Sequence, residues 1–287
     1  MIYRAIAAQK ASHHVSVSRA CRLFGVSSSG YYAYHKRPAS RRQRDDMALL
    51  AHIRAAFRES NESYGVPRMY HELRDRGINI GRRRIARLMR ENNMKGRKKA
   101  RFKRTTDSCH AYPVATNLLD QDFTVQKPNQ CWVSDISYIW TNEGWLYLAV
   151  VIDLYARRVV GWATSDRLKT QIVTDAMKRA IALRNPEPGL IFHSDRGSQY
   201  CADEHMKTLK SIAAIPSMSG KGNCYDNAVA ESFFKTIKSE LIWNTIWQTR
   251  QQATLEIARY IDTFYNTKRR HSSCDYTSPI QYEIINA

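Results

Sequence analysis

Long apolar runs are missing from this sequence. The longest, from Trp145 to Ile152, is ended by Asp153, far short of the roughly 20 residues needed to cross a bilayer. That excludes a transmembrane protein. The first residues, MIYRAIAAQKASHH, lack the hydrophobic centre of an export signal, so a cytoplasmic location is expected. Cysteine is sparse and scattered, at positions 21, 109, 131, 201, 224 and 274, with no CxxC pair. A disulfide scaffold and a standard zinc finger are thereby excluded, and a reducing compartment is implied. Acidic residues are scarce in one half only. Residues 1–126 hold 10 Asp and Glu against 26 Lys and Arg, whereas residues 127–287 hold 16 against 19.

What is present is a chain of 287 residues with formal net charge +19 and 43% hydrophobic residues. Such a composition folds, and the length suits about two domains. The concentration of positive charge ahead of the apolar segments points to polyanion-binding modules followed by a packed domain.

Residues 15–34, VSVSRACRLFGVSSSGYYAY, have a helix–turn–helix rhythm. Small Cys21 stands where two helices can cross, Gly25 marks the turn and Ser27 can cap the second helix. Gly30 inside that helix argues against it; an ordinary helical hairpin is the alternative. Residues 46–93 repeat the theme. Leu49, Leu50, Ile53 and Phe57 keep helical spacing, Pro67 suits the first turn of the next helix and Gly77 its end. In RRRIARLMREN, Arg83, Arg87 and Arg90 share one face and Ile85, Leu88 and Met89 the other. One face would pack while the other meets phosphates and base edges, unless it is simply solvated. KGRKKARFKR, residues 95–104, has seven basic residues in ten and no apolar period. Lys98, Lys99, Arg101, Lys103 and Arg104 there would follow a nucleic-acid backbone, with Phe102 free to stack; a flexible solvated linker is the alternative. The expected domains are 1–44, a helix–turn–helix module; 45–94, a second one; 95–124, a basic linker; and 125–287, a catalytic core.

From residue 131 onward three β-rich runs are separated by short turns at Asn142–Gly144 and Ala156–Arg157. Helix, strand, helix, strand and a last long helix from Ala228 follow. This predicts an α/β fold of the α+β type, a mixed sheet flanked by helices. Three acids stand out. Asp135 lies mid-strand among Val133, Ile136 and Ile139, where an ionised carboxylate costs several kcal/mol unless paired. Asp195 closes the short apolar strand LIFHSD. Glu231 lies on the last helix, one turn after Asn227. If the fold brings them together they need a cation, and hard oxygen ligands select Mg²⁺ or Mn²⁺. Two such ions would clamp the attacking and leaving oxygens of a phosphodiester. For each acid alone, a surface ion pair or a helix cap is the competing explanation.

The segments WVSDISYI (132–139), EGWLYLAVVIDLYARRVVGW (143–162), HSDRGSQY (193–200) and DNAVAESFFKTIKSE (226–240) resemble the retroviral-integrase-like core of insertion-sequence transposases. The resemblance is to the frame-B product of the insertion-sequence-three type. YGVPRM (64–69) is similar to that family's upstream helix–turn–helix module and YNTKRRHSSCDYTSPIQYE (265–283) to its C-terminal signature. The resemblance spans essentially the whole chain. It implies a ribonuclease H-like core with a DDE triad, Asp135, Asp195 and Glu231, both catalytic and metal-binding. It also implies Lys238 as a DNA contact near the cleaved end, and Asn227 as part of the DNA-binding motif. Asp153 is read as structural. Ser137 stands where threonine is common and Cys274 where leucine is common; neither touches the triad.

The implied activity is Mg²⁺- or Mn²⁺-dependent cleavage and strand transfer, with two ions, at the terminal inverted repeats of an element and at a DNA target. A homo-oligomer on DNA, nucleoid association, and a frame-A partner or a frameshift fusion with it are also implied. A non-catalytic DNA-binding regulator is the alternative, and a ribonuclease of RNA–DNA hybrids a third that leaves the tandem helical modules unexplained. His193 is expected to be structural, though it stands close enough to Asp195 to position a phosphate or water. Trp132 and Trp162 are expected in the core. Lys268, Arg269, Arg270 and His271 would hold phosphates or form a solvated face. Removing residues 1–94 is expected to leave the core folded.

Overall fold

In the computed structural model, which describes residues 2–11, 15–97, 115–220 and 224–287, helices form where the N-terminal serines can cap them. The chain divides after His52 into two compact units. In the first, α1 (Ile2–Ala11), α2 (Val17–Leu23) and α3 (Ser28–Lys36) bury Ile6, Val17, Ala20, Cys21 and Tyr31 together. Ser16 accepts the Arg19 amide and Ser27 the Gly30 amide, each satisfying a donor that the first turn leaves orphaned. Gly30 costs helix propensity, about 1 kcal/mol against alanine. A Cβ there would stand 2.6 Å from the Tyr3 hydroxyl, so α1 packs close against it and a larger residue would have to displace that side chain.

The expected boundary at 44/45 falls inside a helix, α4 (Arg41–Glu59). Ser40 and Gln43 exchange bonds in a capping box, Gln43 N to Ser40 Oγ at 3.3 Å and Ser40 N to Gln43 Oε1 at 2.7 Å. No helix breaker follows until Asn61, which explains why the charged stretch RRQRDD is helical rather than linking.

In the second unit, α5 (Val66–Asp75) carries Pro67 in its first turn and α6 (Arg82–Glu91) follows. Met69 and Leu73 on α5 and Ile85, Leu88 and Met89 on α6 are buried. The sheet comprises β1 (Cys131–Thr141), β2 (Gly144–Asp153), β3 (Arg158–Ser165), β4 (Ile191–Ser194) and β5 (Ile215–Met218), in the order β3-β2-β1-β4-β5. The first three are antiparallel neighbours, and β4 and β5 run parallel to β1. This is the α/β, ribonuclease H-like architecture expected, with helical modules ahead of it.

Alternation along the strands feeds two cores. On one face Trp132, Ala149, Val151 and Phe192 pack against α7 (Thr170–Arg184), α8 (Ser198–Cys201) and α9 (Asp203–Ser211). Here Gly161 is obligatory, because a Cβ on it would meet the Ala176 carbonyl at 2.1 Å. On the other face Val133, Leu148, Val150 and Ile152 meet α10 (Ala228–Glu240), α11 (Arg250–Arg259) and a π-helical segment, Tyr260–Tyr265. Phe233 and Ile237 of α10 are buried there, each worth about 2 kcal/mol of hydrophobic stabilisation. Asp153 is fully buried and satisfied: it accepts the Asn129 and Tyr155 amides and pairs with Arg184 at 3.0 Å. A last helix, α12 (Pro279–Ile285), supplies Glu283 to Arg158 and Arg184.

Of the basic run at 268–271, Lys268 is exposed, whereas Arg269 and Arg270 are spent on carboxylates within the protein, a correction to the expectation of a phosphate-holding or solvated face. Arg269 is buried and holds Glu240 of α10 through two bonds, at 2.8 and 2.7 Å. Arg270 pairs with Glu72 and Asp75 of α5 at 2.8 and 2.7 Å. The Tyr64 hydroxyl donates to the Lys268 carbonyl and accepts the Arg270 amide, Arg68 Nε donates to the Arg270 carbonyl, and His71 stacks on Tyr276 at 4.1 Å. The second helical module is therefore riveted to the C-terminal signature, and removing residues 1–94 would strip partners from buried charges.

Candidate active site

Strand register sets the first pair of acids. Cys131, Trp132 and Val133 of β1 lie beside Ile191, Phe192 and His193 of β4. Two residues past that ladder Asp135 continues β1, while Asp195 directly follows β4, so both acids lie at the same end of this strand pair. Helix α10 supplies the third acid. Asn227 Nδ2 donates to the Ser134 carbonyl at 3.1 Å, which holds the start of α10 against β1. One turn later Glu231 lies on the same side of the helix. From the other side Tyr200 braces the strand, its hydroxyl 2.9 Å from Ser134 Oγ.

Electrostatics report the convergence. Burial, then the charge of Asp195, push the Asp135 carboxyl well above the usual carboxylate range. Glu231 adds to that rise, while the Ile136 amide at 2.8 Å and the Lys238 charge oppose it. Burial also raises the Tyr200 hydroxyl, and the charges of Asp135 and Asp195 raise it further. Asp195 accepts the Gly197 amide at 2.9 Å, and Glu231 pairs with Lys235 at 3.0 Å. Among the described residues no three His, Cys, Asp or Glu side chains already stand in metal-ligating geometry. The donor set nevertheless suits a hard divalent cation: carboxylate oxygens from three elements, mutually repelling, one disfavoured as an anion until positive charge arrives. The buried Asn227 Oδ1 beside them has no hydrogen-bond partner among the described residues.

His193 is fully buried between Ser217 (2.9 Å from Nδ1) and Ser219 (3.1 Å from Nε2), and burial pushes it down to about 4. It is neutral and structural. Trp132 is buried, and Trp162 carries Arg179 over its ring at 5.3 Å and donates to Asp262.

The residues expected to touch DNA are placed differently from one another. Asn227 is buried and turned toward Ser134, not outward, because its amide is spent on the strand. Lys238 is 4% exposed, with Nζ 5.2 Å from the Tyr138 ring centroid; burial lowers its pKa and Asp135 raises it. On α6, Arg83 and Arg90 are exposed and Arg87 pairs with Glu91 at 3.1 Å. Lys98, Lys99, Arg101, Lys103 and Arg104, with Phe102, lie outside the described residues. Ser134 and Tyr200 do not stand out in the sequence. Their signal is adjacency: Ser134 precedes Asp135, and Tyr200 lies in HSDRGSQY, one helical turn beyond Asp195.

Comparison with known families and proteins gives a consistent answer. Integrase core domain models match residues 125–224 and 214–279, and an HTH-like domain model matches residues 43–102. The chain is 42% identical over 262 residues to the insertion element IS600 31 kDa protein of Shigella sonnei, covering 91% of this chain and 96% of that protein. It is 39% identical over 280 residues to the transposase InsF for insertion sequence IS3A of Escherichia coli, covering 97% of each. With the transposase for IS904 of Lactococcus lactis it shares 42% over 254 residues, 88% of this chain and all of that one. Among solved structures, the HTLV-2 integrase catalytic core domain with magnesium aligns at 14% identity and TM-score 0.43, over 55% of this chain and 97% of that one. A simian T-cell lymphotropic virus intasome chain aligns at 15% identity and TM-score 0.47, over 62% and 60%. The matched domain models and the near-complete alignment to the insertion-sequence proteins agree: the chain belongs to the IS3-type family of insertion-sequence transposases.

Proposed function

We propose that this transposase cleaves and joins DNA at the ends of its element through Asp135, Asp195 and Glu231, which hold two Mg²⁺ or Mn²⁺ ions. The observation that carries the assignment is the Asn227–Ser134 bond, which holds the start of α10, one turn before Glu231, against β1 next to Asp135; the rise of the Asp135 carboxyl with burial and with the charges of Asp195 and Glu231 agrees with it. A divalent cation is required by the integrase-type core; its identity as Mg²⁺ or Mn²⁺ and the count of two follow from the hard donor set and the in-line chemistry. When bound, the ions supply charge stabilisation at the phosphate and favour the deprotonated nucleophile.

The chain's own residues place that chemistry. Asp135 on β1 and Asp195 just after β4 would supply their carboxylates from the same end of these two strands. Asn227 and Tyr200 fix the strand through Ser134, so that the acids are preorganised. Glu231, paired with Lys235 at 3.0 Å, would help hold the cation, and Lys235 would then be available to a phosphate. In the first reaction a water oxygen bonds to phosphorus and the 3′ oxygen leaves as a hydroxyl. In the second that hydroxyl attacks a target phosphodiester and displaces its 3′ oxygen. No bond to the protein is formed.

Arg83, Arg90 and the basic segment through Lys98, Lys99, Arg101, Lys103 and Arg104 would track the phosphates of the terminal repeats. Assembly as a homo-oligomer on DNA, with a frame-A partner or as its frameshift fusion, completes the proposal. In a supercoiled-plasmid nicking assay with Mg²⁺, D135N, D195N and E231Q should each lose at least about 100-fold, more than is typical for an outer partner of a metal ligand. Nicking by all three at the wild-type rate would refute the assignment.

A further inference from the structure

The β1–β2 hairpin runs past the rest of the sheet. Pairing of β1 with β4 stops at Val133, and pairing of β2 with β3 begins only at Tyr147. Beyond those points the two strands form a ribbon joined by the turn at Asn142 and Glu143. One face of it is covered: Ile139 and Leu146 are buried in the core beside α10 and α11. The other face carries Tyr138, Trp140 and Trp145, which are 37%, 58% and 44% exposed. Trp140 lies directly across from Trp145, with ring centroids 4.9 Å apart at 76°; Tyr138 meets Trp145 at 5.2 Å and 85°. Edge-to-face rings of this kind hold one another rigid and leave π faces open to solvent. Three clustered exposed aromatics are not the scattered apolar exposure usual at a protein surface.

Cations stand at both ends of the cluster. Lys238 Nζ lies 5.2 Å from the Tyr138 ring centroid and is electrostatically coupled to Asp135. At the turn, Arg250 Nε donates to the Trp145 carbonyl at 3.0 Å, and its backbone amide to Glu143 at 2.8 Å. Asp135 is on the opposite face of β1 by strand alternation, and Lys238, reaching from α10 to the Tyr138 ring, links the carboxylate site to the aromatic cluster. Along the strand, Tyr138 lies about 10 Å and Trp140 about 17 Å from Asp135, the length of roughly three to five stacked nucleotides.

We propose that Tyr138, Trp140 and Trp145 form a stacking platform for unpaired bases of the DNA strand next to the scissile phosphate. The proposal rests on the assignment of the carboxylate site. Aromatic rings interleaved with cations are the surface chemistry that binds single-stranded nucleic acid without reading its sequence. A second copy of the chain fits less well. Three half-exposed aromatics offer about 300 Å², well short of the roughly 800 Å² per partner of a stable interface.

The test uses the full-length chain in EDTA, so that no cleavage occurs, at about 0.2 M salt to weaken binding to phosphates. Two probes are compared: a blunt duplex of about two helical turns, and the same duplex ending in about five unpaired thymidines. The wild type should prefer the frayed duplex by about tenfold, W140A/W145A should lose that preference, and W140F/W145F should retain most of it. W140A alone, at a side chain more than half exposed, guards against misfolding and should lose part of it. An unchanged preference in W140A/W145A, no preference in the wild type, or loss of self-association with the preference intact would each overturn the proposal. D135N should keep the preference and lose nicking. If D135N nicks normally, the carboxylate assignment fails while the stacking result stands on its own.

Discussion

The two helical modules read alike in the sequence and are stabilised by different means. The first has its own small core, built around Ile6, Cys21 and Tyr31, and its turns are closed by its own serines. The second spends charge on the catalytic unit. Glu72 and Asp75 on α5 reach Arg270, and Tyr64 and Arg68 hold the backbone of the same C-terminal segment. Arg269, the next residue along, grips Glu240, nine residues past Glu231 on the same helix. A basic region therefore keeps a few acids for a purpose. They face arginines of the core, while Arg83 and Arg90 face outward.

That difference can be broken most severely by truncation. Removing residues 1–40 spares α4 and should change the melting temperature of the remainder little. Removing residues 1–94 leaves Arg270 without its carboxylates and should yield an unstable or insoluble core, measured by thermal unfolding and sedimentation. Equal melting temperatures for the two truncations would show the second module to be as independent as the first.

A point substitution sharpens the comparison. Arg270→Ala should cost about 2 kcal/mol, since it strips Glu72 and Asp75 of their partner in the C-terminal segment and leaves Glu72 only Arg76; in melting temperature that is roughly 4–8 °C. Burial raises the Glu72 carboxyl, but bonds from Arg270 and Arg76 outweigh it and hold the group below its ordinary 4.5. A depressed folded-state value contributes stability that is present above pH 4.5 and lost as pH falls through the folded value. The loss of stability on acidification below pH 4.5 should therefore be shallower in the variant. The smallest effect concerns DNA. Arg83→Ala and Arg90→Ala should each flatten the slope of log affinity against log salt by about 0.9, the share of one neutralised phosphate, with stability unchanged. Unaltered slopes would remove α6 from the interface.

Most of the elements were legible because their signals are local. Ser27 announces a cap, Gly25 and Gly144 announce turns, and the spacing of Ile172, Val173, Ala176 and Ala180 announces α7. Asp135 was legible as an anomaly, a carboxylate where a strand should be apolar. The boundary at 44/45 cuts α4 because the apolar spacing that signals this helix starts only at Leu49, while its first turns are charged and exposed. The basic run at Lys268–His271 was misread for a related reason. A charge run looks the same whether it meets water, phosphate or carboxylates elsewhere in the chain, and only the partner distinguishes them. Asn227 was expected to face DNA, yet its amide holds Ser134. The Trp140–Trp145 pair gave no warning, because alternation along β1 and β2 looks the same whether or not a helix covers the face.

Composition and periodicity alone pointed to a polyanion as partner, and determined a mixed sheet behind helical modules and three acids in unusual settings. Those properties follow from interactions within a few residues of one another. Tertiary structure alone decided that Asp135 is flanked by Tyr200 and Asn227 through Ser134, which arginines are consumed internally and which aromatic face stays open. Such outcomes depend on interactions between segments tens to hundreds of residues apart, where register and packing, not residue type, set the distance.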